Sequence, residues 1–133
     1  MKKKDIIFQS DSGCIRESSF RILKDLEHYG IGEKTAFEIK LCVEEAVRNA
    51  IIHGNKSDPK RQVRLGYWVD GGILNIEIED EGAGFNHESV KDPTKEENLL
   101  RNSGRGDYLI KKLMDKAEYN TKGNKLSMVK KIN

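Results

Sequence analysis

Two stretches of the chain alternate apolar and polar residues, and three repeat apolar residues at helical spacing. Val63, Leu65, Tyr67 and Val69 alternate with polar or small residues, and Leu74, Ile76 and Ile78 alternate with Asn75, Glu77 and Glu79. Period two predicts two strands, and Asp70-Gly71-Gly72 between them predicts a hairpin turn. Ile15, Ile22, Leu23, Leu26 and Tyr29 predict a helix over 15–29, broken by Gly30-Ile31-Gly32. A longer helix is expected from about Glu33 to His53, stopping at Gly54-Asn55. A third is expected from about Gly106 to Met114. Lys4 to Gln9 is rich in β-branched residues and predicts a first strand, while 116–121 and 125–132 predict a closing hairpin around Lys122-Gly123-Asn124. Residues 86–103 are polar and weakly periodic, with Asp92-Pro93 inside them, and a connection that long suggests a lid. The expected order is β-α-α-β-β-lid-α-β-β, an α+β chain with helices on one face of a mostly antiparallel sheet.

A length of 133 residues suits one domain, 1–133. Apolar residues make up 36% and charged residues 35%, which predicts a modest core under a highly charged surface. Lys and Arg number 24 against 22 Asp and Glu, a net charge of +2 that gives no reason to expect a nucleic-acid partner. Lys2-Lys3-Lys4 is followed at once by Asp5, and only Ile6, Ile7 and Phe8 are apolar before Gln9, so neither an export signal nor a membrane span is expected. Cys14 and Cys42 stand apart, without a Cys-x-x-Cys pair, and read as reduced, buried thiols in a cytoplasmic protein.

The long helix carries Ile39, Val43, Ala46, Val47 and Ala50 on one side, toward the core. Glu38, Cys42, Glu45, Asn49 and His53 fall together on another. Glu45, Asn49 and His53 are four residues apart and stack along one face, whereas Glu44 points about 100° away from Glu45. Alone, this is a solvated helix face. In a chemical role, Asn49 would offer its carbonyl oxygen to Mg²⁺, a hard cation that takes oxygen ligands. Glu45, one turn away, would act as a general base on a hydroxyl or a water. His53 is assigned no catalytic role.

Asp80 follows Ile76 and Ile78 on one strand face, so a carboxylate points the way of the core and needs a donor. The exocyclic amine of adenine is one such donor, and Gly82 and Gly84 allow close approach of a flat ring. A plain turn after an edge strand is the alternative. Ser103-Gly104-Arg105-Gly106 stands before the third expected helix, where free backbone N–H groups suit phosphate and Arg105 adds a charged fork. A glycine-rich helix entry with an exposed arginine is the alternative here. The triplet is neither a Walker A loop nor a dinucleotide fingerprint.

Taken together, Glu44 to Gly54, Asp80-Glu81-Gly82-Ala83-Gly84-Phe85 and Gly104-Arg105-Gly106 resemble, in order and spacing, the N, G1 and G2 boxes of the GHKL (Bergerat-fold) ATPases. Asp92-Pro93-Thr94, Asn98-Leu99-Leu100 and Leu113-Met114-Asp115 resemble the bacterial branch of anti-sigma-factor serine/threonine kinases. The resemblance implies a two-layer α/β sandwich with ATP between helices and sheet under the lid. It implies Asn49 on Mg²⁺, Asp80 on adenine, and the backbone around Gly82, Gly84, Gly104 and Gly106, with Arg105, on the nucleotide. It implies Glu45 as the base that activates a hydroxyl of a STAS-fold anti-anti-sigma factor, in a homodimer that also binds a sigma factor.

Two positions depart from the pattern. Asp107 stands where an apolar residue usually follows the triplet, and Asn124 and Lys125 follow Gly123 where a threonine is frequent. Asp107 keeps open an alternative function, a nucleotide-dependent sequestering module with little or no kinase activity. A detached histidine-kinase ATPase domain ranks third, because His28 lies on a short helix followed by Gly30 and no dimerisation helix pair is expected.

Overall fold

The structure, a computed structural model, describes residues 1–82 and 102–132, with backbone alone for 102–107. Strand β1 spans Lys4–Gln9, helix α1 Gly13–Asp25, helix α2 Glu33–Asn49, β2 Gln62–Asp70, β3 Ile73–Asp80, helix α3 Asn102–Leu113, β4 Lys116–Tyr119 and β5 Lys125–Lys131. A 3₁₀ turn, Glu27–Tyr29, follows α1, and a π-helical turn, Ala50–Gly54, extends α2. Among the described residues the strands form one sheet in the order β1-β2-β3-β5-β4, with every pairing antiparallel. This is the α+β arrangement expected from the sequence.

The period-two stretches set the sheet's inner face. Leu65 pairs with Ile78, Tyr67 with Ile76 and Val69 with Leu74, all buried. The turn between β2 and β3 has two central residues, Gly71 and Gly72, at φ 57° and 78°. Positive φ at both positions matches the right-handed twist of a tight hairpin and is strained for any residue with a side chain. Leu126 and Met128 of β5 continue the same layer.

Ile39, Val43, Ala46, Val47 and Ala50 of α2 are buried against that layer, as their spacing predicts. Each fully buried Val or Ile side chain contributes roughly 1.5–3 kcal/mol. Ile22 and Leu26 of the α1 region and Ile110 of α3 complete the core. The outer sheet face carries charge instead, with Arg64 on Glu79 at 2.6 Å and Lys3 and Lys125 on Glu77 at 2.8 and 3.1 Å. Such partly exposed pairs contribute little to stability.

Three features depart from expectation. First, α1 ends at Asp25, and the chain tightens into the 3₁₀ turn before Gly30 caps it at φ 65°. Second, α2 does not run on as an α-helix to His53. The Asn55 N–H donates to Ala50 O (2.8 Å), five residues back, which makes the last turn π-helical. Third, α3 begins at Asn102, four residues before its expected start, so Gly104, Arg105 and Gly106 lie inside the helix rather than in a loop before it. Asn and Ser are favoured at helix starts, and a helical glycine costs only about 1 kcal/mol relative to alanine. The expected lid lies outside the described residues except for positions 102 and 103, which open α3. Among the described residues, no helix is long and apolar enough to cross a membrane.

Candidate functional site

The C-terminal end of α2 and the end of β3 meet at two glycines. A Cβ at Gly54 would lie 2.1 Å from Asp80 Oδ2, and one at Gly82 would lie 2.0 Å from Gly54 O. Real side chains cannot occupy either space, so only glycine lets the π-turn backbone lie against the Asp80 carboxylate. The extra residue of the π-turn sets this approach. In the structure, Gly54, Asp80 and Gly82 therefore come together, with Asn49 one helical turn earlier on α2.

Asn49 is 8% exposed, and neither its Oδ1 nor its Nδ2 has a hydrogen-bond partner among the described residues. A buried amide left unpaired costs about 1–3 kcal/mol, and nothing among the described residues offsets that cost here. A solvated helix face does not describe this position. Cys42, on the same stripe, is also wholly buried, and burial pushes its thiol up to about 11, so it stays protonated.

Glu45 lies one turn before Asn49, and its side chain is mostly buried. Arg48 donates to Glu45 Oε2 at 2.7 Å, which fixes the carboxylate and leaves Oε1 as the second acceptor. Glu44 is occupied elsewhere. It accepts from Ser19 Oγ at 2.6 Å and pairs with Lys40 at 2.9 Å, which ties α2 to α1.

Asp80 sits on the inner face of β3, opposite Val63. Its Oδ1 accepts from the Gly82 N–H at 2.8 Å. Burial raises the Asp80 carboxyl above its ordinary 3.8, against the opposing pull of that N–H. A partly desolvated carboxylate with one donor among the described residues has acceptor capacity left for an amine.

Three asparagines that the sequence did not mark as site residues brace the turns next to Asp80, and one of them, Asn124, bonds to its backbone. Asn55 is wholly buried. Its Nδ2 donates to Ser10 Oγ (2.9 Å) and Gln62 O (3.0 Å), and its Oδ1 accepts from the Glu81 N–H (2.8 Å). On the β5 side, Asp80 N–H donates to Asn124 O (2.9 Å) and Asn124 Nδ2 donates back to Asp80 O (3.1 Å). Asn120 Oδ1 accepts from the N–H groups of Gly123, Asn124 and Lys125 at 2.7, 3.1 and 3.3 Å, and Asn120 Nδ2 donates to Asn124 Oδ1 at 2.9 Å. Runs of turn-forming residues were the only trace of these roles in the sequence.

Gly84 lies outside the described residues. Gly104 and Arg105 fall within the first four positions of α3, whose N–H groups lack intrahelical acceptors, and Gly106 falls just beyond them. Among the described residues there is no cluster of three or more His, Cys, Asp or Glu able to hold a metal. An ion beside Asn49 would therefore take most of its ligands from water and phosphate, the habit of magnesium.

Comparison with known proteins follows the same lines. Residues 15–130 match the model of the histidine kinase-like ATPase domain. The chain is 39% identical over 92 residues to the anti-sigma F factor of Geobacillus sp. (strain WCH70), covering 66% of this chain and 62% of that protein. It is 37% identical over 99 residues to the anti-sigma F factor of Anoxybacillus flavithermus (strain DSM 21510 / WK1), covering 71% and 66%. It is 37% identical over 102 residues to the anti-sigma F factor of Clostridium perfringens (strain SM101 / Type A), covering 72% of each. The chain thus spans less than two thirds of the length of the Geobacillus relative.

Proposed function

This chain belongs to the histidine kinase-like ATPase domain family, and on that premise we propose that it is an ATP-dependent anti-sigma factor with serine/threonine-protein kinase activity. Its phosphoryl acceptor would be a STAS-type anti-anti-sigma factor and its sequestered partner a sigma factor, both engaged by a homodimer. The names of the anti-sigma F factor relatives support the sigma-factor half of this proposal. The kinase half rests on this chain's own residues.

The observation that carries it is Asn49. Its amide, buried and without a partner among the described residues, suits a site whose partner is a ligand, and its carbonyl oxygen suits Mg²⁺. The ion, when bound, would neutralise phosphate charge. Asp80 accepts the exocyclic amine of adenine, and the close approach of the Gly54 and Gly82 backbones holds its carboxylate in place for that contact. The free N–H groups at the start of α3, with Gly104, Arg105 and Gly106, face the phosphates, and Gly84 lies in the same G1 box as Gly82.

Glu45 Oε1 takes the proton from the acceptor hydroxyl while Arg48 holds Oε2. That oxygen then forms its bond to the γ-phosphorus of ATP as the bond to the bridging oxygen of ADP breaks. Glu44, spent on Ser19 and Lys40, is not the base.

The test is transfer of label from γ-labelled ATP to a purified STAS-domain anti-anti-sigma factor from the same organism. Label on that protein's serine or threonine supports the proposal. ATP binding with no transfer would instead identify a nucleotide-dependent sequestering module.

A further inference from the structure

The Asp80 carboxylate is not oriented by its own strand alone. Its Oδ1 accepts from the Gly82 N–H, so its direction depends on how the chain turns through Glu81. The peptide of that turn is held from outside by the Glu81 N–H, which donates to Asn55 Oδ1 at 2.8 Å. Asn55 itself cannot shift. Its Nδ2 is anchored on Ser10 Oγ beyond β1 and on Gln62 O at the start of β2, and its N–H closes the π-turn on Ala50 O. Ser10 Oγ in turn donates to Arg61 O at 2.7 Å. One side chain thus ties the end of α2, the exits of β1 and β3 and the entry of β2 to a single point beside Asp80. Both Nδ2 hydrogens and one acceptor position of Oδ1 are used, and the side chain is wholly buried, so it is not presented to a ligand.

We infer that Asn55 is a positioning residue for purine recognition: by fixing the Glu81 peptide it sets the Asp80 carboxylate at the angle that selects a 6-amino purine. The inference rests on the proposal that Asp80 accepts that amine. Asn55 touches no nucleotide atom and acts only through Asp80, so its effect belongs to the amine and not to the phosphates or the ion. The Glu81 side chain assists from the other side, with its Oε2 accepting from the Gln62 N–H at 2.6 Å.

The test measures dissociation constants of the full chain for ATP and for purine riboside 5′-triphosphate, which has hydrogen in place of the 6-amine. Asn55→Ala is expected to weaken ATP about tenfold, the scale of one misaligned hydrogen bond, while the analogue changes by less than about twofold. In an Asp80→Asn background the same substitution should cost ATP nothing further. Asn55→Ser, whose hydroxyl is too short to reach the Glu81 N–H, carries the test if the alanine variant does not fold. Equal weakening of both nucleotides, no weakening of either, or a full loss repeated in the Asp80→Asn background would each overturn the inference. If the unsubstituted protein binds the two nucleotides alike and Asp80→Asn changes neither, the Asp80 assignment itself has failed. That outcome is distinct from an amine preference that Asn55 does not influence.

Discussion

Gly54 and Asp80 are in contact through the absence of a side chain: a methyl on Gly54 would overlap both carboxylate oxygens, at 2.1 and 2.7 Å. The end of helix α2 thereby gauges where the acid of β3 can stand. Gly54→Ala must displace Asp80 or open the π-turn. It should destabilise the fold by about 1–3 kcal/mol and weaken ATP by at least about tenfold. Urea unfolding and calorimetry measure the two effects, and a variant with unchanged ATP affinity would contradict the proposed adenine contact.

Asn49 gives a prediction of opposite sign. Its amide is buried and has no hydrogen-bond partner among the described residues, so an apolar residue of similar size removes a penalty. Asn49→Leu should stabilise the nucleotide-free protein by about 1–2 kcal/mol. The same substitution should abolish magnesium-dependent transfer. Thermal unfolding in the absence of nucleotide reads the first effect, and a lowered midpoint would show that the amide has a partner after all.

Glu45→Ala should retain nucleotide binding and lose phosphoryl transfer by about 10²–10⁴-fold, the usual contribution of a positioned base. Glu44→Ala should leave transfer within a few-fold, since Glu44 serves the α1–α2 contact. Transfer that survives in the Glu45 variant and fails in the Glu44 variant would reverse the assignment.

Asp80→Asn links binding to pH. Burial raises the folded-state value of this carboxyl above the ordinary 3.8, so the folded chain holds the proton more tightly than the unfolded one. Its stabilising contribution is full below the unfolded value and is lost as pH rises through the folded one. At about pH 7 the ionised, desolvated carboxylate is therefore a cost, and Asp80→Asn should be the more stable protein there. The advantage should narrow on acidification toward the ordinary range. ATP affinity should fall in the same variant, so stability and binding move in opposite directions, and unfolding curves at several pH values beside calorimetry would reveal it.

Local pattern carried most of the fold. Period two in Val63 to Val69 and Leu74 to Ile78, with a Gly-Gly turn, defined the central hairpin, because burial of alternate residues on one face is a short-range property of a strand. The core side of α2 was equally legible. The sequence marks Glu45, Asn49, Asp80 and Gly82 as candidates only when its three motifs are taken together, and it does not reveal the burial of Asn49 or the pairing of Glu45 with Arg48. Asn55 was invisible for a physical reason. Its partners Ser10 and Glu81 lie 45 and 26 residues away, so its role exists only after the sheet has formed. The π-turn was hidden likewise, since nothing in Ala50-Ile51-Ile52-His53-Gly54 distinguishes it from an α-helical turn until Gly54 meets Asp80. The early start of α3 was not legible because Gly-Arg-Gly reads as a glycine-rich entry before the helix, whereas glycine tolerates helical backbone at modest cost.

The π-turn has a consequence for how this chain tolerates changes of length. One surplus residue between Ala50 and Gly54 rotates everything after it by about 100° relative to a regular helix. Deleting one of residues 51–53 should turn this five-residue span into an ordinary four-residue α-helical one, with the glycine still against the acid and the Asn55 N–H still on Ala50 O. The exposed bend at Lys56 and Ser57, where both residues already take positive φ, should accept an added residue far more readily. Sequence length is thus adjustable by one residue on both sides of Asn55, by removal before it and by addition after it, a pattern that scanning single-residue deletions and insertions from 50 to 61 would draw directly.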